Sequence, residues 1–251
     1  MKVLVINLAS EAERMAFQEA QLGTLGLAFE RVNAVTPDTL SPPANDRYWS
    51  RWERPLRTTE MAAFASHRVA WERVAASDTP HMVLEDDAFL MPGAKGLLAT
   101  LTDLPQAEFV TLETRGRRKR IARDPHPHAP IHRLWQDRTG AACYVLWPGA
   151  AKKLLTRAAP APGLADAVLC AAYELQAWQA VPALACQLDR CAAEGLTPPI
   201  ATESAIGRED KPRAKPSVVQ KLRRITSQLR MGLRALAHVR AESTIVDLKR
   251  D

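Results

Sequence analysis

Cysteine is scarce in this chain of 251 residues: Cys143, Cys170, Cys186 and Cys191 form no Cys-x-x-Cys pair, and no histidine sits at metal-ligand spacing from them. The four read as buried thiols of a cytosolic protein. Long apolar runs are missing too. Nothing approaches the length of a membrane span, and the opening "MKVLVINLAS" turns polar too soon for a secretory signal, so an intracellular location is expected. No glycine-rich phosphate fingerprint follows the first apolar segment, which argues against a P-loop or a dinucleotide-binding turn. There is no nucleophile elbow, no Cys-His pattern and no internal repeat, so covalent catalysis by serine or cysteine is not indicated. Acid is absent from Ser217 to His238.

What is present begins with a core: 47% of the residues are hydrophobic, enough for one sizeable α/β domain or a domain plus an appendage. The net charge of +6 is unevenly placed. From Gly207 onward 12 Lys and Arg face 5 Asp and Glu, a balance of +7, while the first 206 residues sum to −1. A nearly neutral body with a basic appendage argues against a protein that binds nucleic acid throughout, with a binder using the basic loop and tail as a lesser rival. The expected division is 1–206 for the body and 207–251 for the tail.

Along the body, "KVLVINL" (2–8) and "LAFERVNAV" (27–35) read as strands around a helix that glycines stop near residues 23 and 26. Residues 36–57 look irregular. Thr58 or Thr59 is a candidate N-cap for a helix that places Glu60, Phe64, His67, Trp71 and Val74 along one face. "AEFVTLET" (107–114) and "AACYVLW" (141–147) read as further strands, with the basic loop "RGRRKRIARDPHPHAP" between them. Pro148 opens a helix, and a second helix over "DAVLCAAYELQAWQ" is expected from Asp166. Alternating strands and helices predict a mostly parallel, Rossmann-like sheet covered by helices.

In the tail, Val218, Leu222, Ile225, Leu229, Leu233 and Leu236 recur at helical spacing, with Lys221, Arg223, Arg224, Arg230 and Arg234 between them. This basic amphipathic helix suits an anionic membrane surface; a helix packed on the body or a coiled-coil partner is the other reading.

The chemistry concentrates at "HMVLEDDAFL", where an apolar strand ends in Glu85, Asp86 and Asp87. Two such charges about 4 Å apart repel by roughly 4 kcal/mol at an effective dielectric near 20, so water or a cation must relieve them. On a strand Glu85 and Asp87 face one way and Asp86 the other. Ligands collect beyond the carboxyl ends of parallel strands, and a carboxylate pair there suits Mg2+ or Mn2+ completed by phosphate oxygens and water. A solvated acidic turn is the plain alternative.

The order "INL", "SHRVAW", "MVLEDDAFL" and "TGAACYVLWPGAAKKLL" resembles glycosyltransferase family 25, the bacterial lipooligosaccharide and lipopolysaccharide glycosyltransferases. The matching residues are Asn7, Leu8, Arg14, Glu60, Ser66, His67, Trp71, Glu85, Asp86, Asp87, Gly140, Tyr144 and Leu155, over roughly residues 1–205. The resemblance implies a GT-A-like fold, a UDP-sugar donor with galactose foremost, inversion at the anomeric carbon, and a lipooligosaccharide or lipopolysaccharide core acceptor at the cytoplasmic face of the inner membrane. It implies a DxD-type role for the acidic triplet, with Mn2+ or Mg2+ held by Asp87 and Glu85. Donor contacts then fall to Asn7, Leu8, Arg14, Ser66, His67, Glu85 and Asp86. The base is either Asp166, whose ordinary reading is a helix N-cap, or Glu113 at the end of its strand. His67 has the alternative of a satisfied core histidine. Arg117, Arg118 and Arg120 in the basic loop are candidates for an anionic acceptor. Residues 38–57 and "TLETRG" depart from the family pattern, so a non-catalytic, membrane-peripheral relative is the rival reading.

Overall fold

Apolar β-branched runs supply the strands at the centre of the molecule. The computed structural model describes residues 1–104, 107–138, 140–201 and 214–249. Strand β1 (Lys2–Asn7), helix α1 (Ala12–Leu25) and strand β2 (Phe29–Asn33) form the parallel unit that the sequence predicts. Helix α2 (Thr58–Ala75) leads into β3 (His81–Glu85), which lies parallel to β1 on its other side. A two-residue turn made of Asp86 and Asp87 leads into β4 (Ala88–Leu90), followed by α3 (Ala94–Thr102) and β5 (Phe109–Thr111).

The expectation of a mostly parallel sheet is corrected from here on. Strands β6 (Lys119–His126) and β7 (Ala129–Gln136) are a hairpin where the sequence suggested a basic loop. Only two residues join them, a connection that antiparallel strands alone can make. The alternating burial of Lys119, Arg120 and Ile121 shows the strand period that six positive charges obscured. Strand β8 (Cys143–Leu146) then inserts antiparallel between β3 and β5, ahead of α4 (Pro148–Ala158) and α5 (Ala165–Ala171). The helix expected over 166–179 stops at Ala171. Residues Ala177–Ala180 form β9, which pairs with both β5 and β7, so ladder hydrogen bonds on two sides outweigh helical propensity. With β11 (Glu242–Thr244) at one edge, the nine-stranded sheet is therefore mixed, in the order β11-β6-β7-β9-β5-β8-β3-β1-β2. A separate pair joins β10 (Ala185–Gln187) to β4.

Two cores lie on the two faces. One packs Val3, Val5, Met82 and Leu84 against α1 and α3, through Leu22, Leu98 and Leu101. The other packs Leu4, Val83 and Tyr144 against α2 and α4, through Phe64, Trp71 and Leu154. The expected boundary at 206/207 falls outside the described residues. Beyond it, α6 (Val218–Ala237) lies beside β7, and β11 (Glu242–Thr244) adds the last strand to β6. Val246 and Leu248 are buried in the first core, and the Thr114 hydroxyl donates to the Val246 carbonyl at 2.7 Å.

Candidate active site

The carboxyl ends of β1 and β3 lie side by side, Ile6 against Glu85, so Asn7 and Asp86 leave the sheet together. The antiparallel β8 brings its opening residues to the same edge, where the Glu85 amide donates to the Ala142 carbonyl at 2.8 Å. Helix α2 and the start of α5 wall the space beyond. The result is a cleft of about 370 Å³, lined by Arg14, His67, Glu85, Asp86, Asp87 and Asp166 among others, a volume that suits a small-molecule ligand.

Helix α1 braces the acidic turn. Arg14, Gln18 and Gln21 recur at i, i+4 and i+7, which puts them on one buried stripe. The Gln18 amide donates to the carbonyls of Asp86 and Ala88, and the Leu90 amide donates to Gln21 Oε1 at 2.7 Å. Asn7 Nδ2 donates to one oxygen of Asp86 at 2.8 Å and Arg14 to the other at 3.2 Å. Burial raises the Asp86 carboxyl against the opposing pull of Asn7 and Arg14. Asn7 and Arg14, expected at the donor, thus engage Asp86 first. The stripe of polar residues within an otherwise helical pattern is the signal that would have found Gln18 and Gln21.

Glu85 and Asp87 are held differently. The Gln187 amide on β10 reaches Glu85 at 3.2 Å and Asp87 at 3.5 Å. His67 Nε2 lies 2.9 Å from Glu85, its Nδ1 lies 3.0 Å from the Tyr144 hydroxyl, and Trp71 Nε1 donates to that hydroxyl at 2.7 Å. The chain of donors has one consistent order for a neutral ring. Glu85, ionised, only accepts, so the neutral ring gives it the Nε2 proton, and Nδ1 then accepts from the Tyr144 hydroxyl, whose oxygen accepts from Trp71. Burial pushes the Glu85 carboxyl up, but the His67 contact and the Arg115 charge outweigh it and hold it below the usual range. For Asp87 the balance falls the other way: burial and the charges of Glu85 and Asp86 outweigh the pull of Arg14 and push it to about 7.

Among the described residues no group of three or more His, Cys, Asp or Glu side chains is arranged to hold a metal ion. The pair Glu85 and Asp87 nevertheless fits a hard cation that takes its other oxygens from phosphate and water. The two carboxylates converge on one amide, and burial beside Glu85 and Asp86 pushes Asp87 to about 7 despite the Arg14 charge. Asp86 does not fit, because Asn7 and Arg14 occupy both its oxygens.

The remaining expected residues separate. Leu8 lines the cleft. Ser66 accepts from the Val35 amide and donates to the Ala62 carbonyl, both at 2.8 Å, fixing α2 against the loop after β2. Glu60 caps α2 by accepting from the Arg57 amide and pairs with Arg54, which moves the N-cap from the expected threonines to Arg57. Asp166 lies inside the first turn of α5, after the cap position at Leu164, and lines the cleft; burial raises its carboxyl. Glu113 is behind the cleft wall, only 1% exposed, with one oxygen accepting from the Ala142 amide and the other without a partner. Burial and the charge of Glu85 push it to about 8. A Cβ at Gly140 would meet its oxygen at 2.9 Å, and Gly140 also has a φ of +117°, so only glycine fits there.

Arg117, Arg118 and Arg120 do not line the cleft. Arg118 donates to the Ser243 carbonyl and Arg120 to the His238 carbonyl. From the same basic run it is Arg115 that reaches the site, donating to Gln187 and pairing with Asp189 at 3.5 Å. Gln187 and Asp189 carry no sequence signal, because their place depends on β10 pairing with β4.

The chain is 37% identical over 119 residues to the lacto-N-neotetraose biosynthesis glycosyltransferase LgtB of Neisseria gonorrhoeae, covering 44% of this chain and 43% of that protein. It is 31% identical over 170 residues to LgtE of the same organism, covering 63% and 61%. The matches thus span about half the length of these relatives. Among solved structures, a glycosyltransferase involved in the glycosylation of the major capsid of PBCV-1 aligns with a TM-score of 0.33 at 10% identity, over 62% of this chain and 64% of that one. The inositol-1-phosphate CTP transferase from T. maritima aligns at 0.37 and 12%, over 74% and 69%. The model of glycosyltransferase family 25, described as LPS biosynthesis proteins, matches residues 1–169 and so takes in β1, α2, the acidic turn, β8 and Asp166 together. The chain belongs to glycosyltransferase family 25.

Proposed function

We propose that the chain transfers a hexose, galactose foremost, from a UDP-sugar to a hydroxyl of a lipooligosaccharide or lipopolysaccharide core, with inversion, on a GT-A-like scaffold. The observation that carries this reading is the shared hold of Gln187 on Glu85 and Asp87 at the mouth of a cleft of about 370 Å³. A Mn2+ or Mg2+ ion held by those two carboxylates would supply Lewis-acid assistance to the leaving diphosphate. Arg115 adds a fixed positive charge beside them, and the tie to Asn7 and Arg14 keeps Asp86 rigid at the cleft floor. Asp166 is the base that takes the proton from the acceptor hydroxyl. Burial raises its carboxyl toward the working range of such a group. Glu113, sealed behind Gly140 and already proton-bound near neutrality, does not serve that step.

The test supplies UDP-galactose, UDP-glucose and UDP-N-acetylglucosamine in turn, with a lipooligosaccharide core acceptor, with and without Mn2+. Expected is UDP release that needs both metal and acceptor and is lost in Asp87→Ala. Asp166→Asn is expected to lower kcat by about 100-fold or more while sparing donor binding. Failure to bind any nucleotide-sugar would support the non-catalytic alternative.

A further inference from the structure

Helix α6 is mounted the wrong way round for a surface helix. Its less exposed residues are Gln220, Ser227, Met231, Arg234 and Ala235, which share one face at helical spacing. That largely polar face is turned to the body. Gln220 and Arg223 both donate to the Ser50 carbonyl, at 3.4 and 3.3 Å. At the other end Arg234 donates to the Trp135 carbonyl at 3.0 Å, and His238 stacks on the Trp135 ring at 3.9 Å. The opposite face carries Val218, Leu222, Ile225, Leu229, Leu233 and Leu236, each between 51% and 72% exposed. An amphipathic helix ordinarily buries that stripe.

We propose that α6 is an interfacial helix whose outward stripe inserts into an anionic lipid surface, and that its attachments at Ser50 and Trp135 make it a fixed keel of the body rather than a loose tail. Charge selects the occupant. At 100° per residue Lys221 flanks the stripe on one side and Arg230 on the other, and no acidic residue lies between Ser217 and His238. A second copy docking on this face by two-fold symmetry would set these basic flanks against their own kind. An anionic headgroup layer pairs with them instead while the acyl region takes the leucines. The proposal does not depend on sugar transfer, since it rests on α6 alone.

The test is flotation of the full chain with vesicles of phosphatidylcholine, alone or mixed with phosphatidylglycerol, in the absence of any nucleotide-sugar. The intact chain is expected to float with the anionic vesicles only, and less so in high salt. Leu229→Glu with Leu233→Glu, both at exposed positions, is expected to weaken binding by about tenfold or more without changing the urea midpoint. Lys221→Glu with Arg230→Glu is expected to remove the preference for anionic lipid. Absence of flotation for the intact chain overturns the proposal. So does a dimer, seen by light scattering, that the leucine pair converts to monomer while vesicle binding is unchanged. UDP release on a soluble acceptor is read separately, so loss of either result leaves the other standing.

Discussion

Replacing Glu113 by glutamine tests the electrostatics of the site without altering its shape. The carboxyl is buried, with one oxygen on the Ala142 amide and the other without a partner, and it is pushed from 4.5 to about 8. The folded protein therefore binds this proton more tightly than the unfolded chain does. The sign follows: the carboxyl's contribution to stability is fully present below about pH 4.5 and is lost as pH rises to about 8, after which it is constant. At about 1.4 kcal/mol per pH unit, folding at pH 7 costs about 3 kcal/mol for keeping the group neutral. Glutamine keeps the acceptor for Ala142 and has no proton to bind. Glu113→Gln should match the parent near pH 4 and exceed it by about 3 kcal/mol at pH 7, or roughly 6–12 °C in Tm for a domain of this size. Urea unfolding of the metal-free protein at half-unit steps from pH 4 to 8 measures it. Parallel pH profiles for the two proteins would refute the argument, because they would mean that Glu113 ionises in the fold. The same variant should retain turnover, whereas a catalytic base would not survive the change.

Asp87 is expected to release a proton when a divalent cation binds, since it titrates at about 7 in the metal-free protein. Apparent Mn2+ affinity should fall about tenfold per unit below that pH, measured by calorimetry in buffers of different ionisation enthalpy, and Asp87→Asn should flatten the profile. Tyr144→Phe strands the Trp71 donor and the His67 acceptor inside the core and should cost about 2–4 kcal/mol in urea unfolding. A cost below the 1 kcal/mol typical of point substitutions would show that the relay is not formed. Gly140→Ala forces a Cβ against Glu113 at a positive φ and should destabilise by about 2 kcal/mol or more, with partial recovery in a Glu113→Ala background.

The acidic turn was legible because it joins two signals, an apolar run that reads as a strand and three carboxylates at its end. Helix α2, the entry of Pro148 into α4 and the pattern of α6 were legible for the same reason: their periodicity is strong and local. Strand β9 was not, because "AYELQAWQ" favours a helix locally and becomes a strand only through pairing with β5 and β7. The β6–β7 hairpin was hidden by its arginines and by Pro125, which sits at a register shift beyond the short stretch of β6 that β11 pairs with, a place where a strand tolerates proline. Gln187 and Arg115 enter the site through long-range pairing, which no short window of sequence contains. Asp166 had two readings, and both stay in view: it lies one residue inside α5 with its carboxyl accepting from the Ala167 amide, and it is half-buried at the cleft.

The final ten or so residues bear on how this protein can be handled. Because β11 covers the outer side of β6 while Val246 and Leu248 fill space beneath the sheet, the C-terminus works as a latch. Cutting the chain before α6 would bare a strand edge and open holes in the interior, inviting aggregation. Solubilising substitutions on the outward leucines leave that latch closed, and they are the sounder route to a tractable protein.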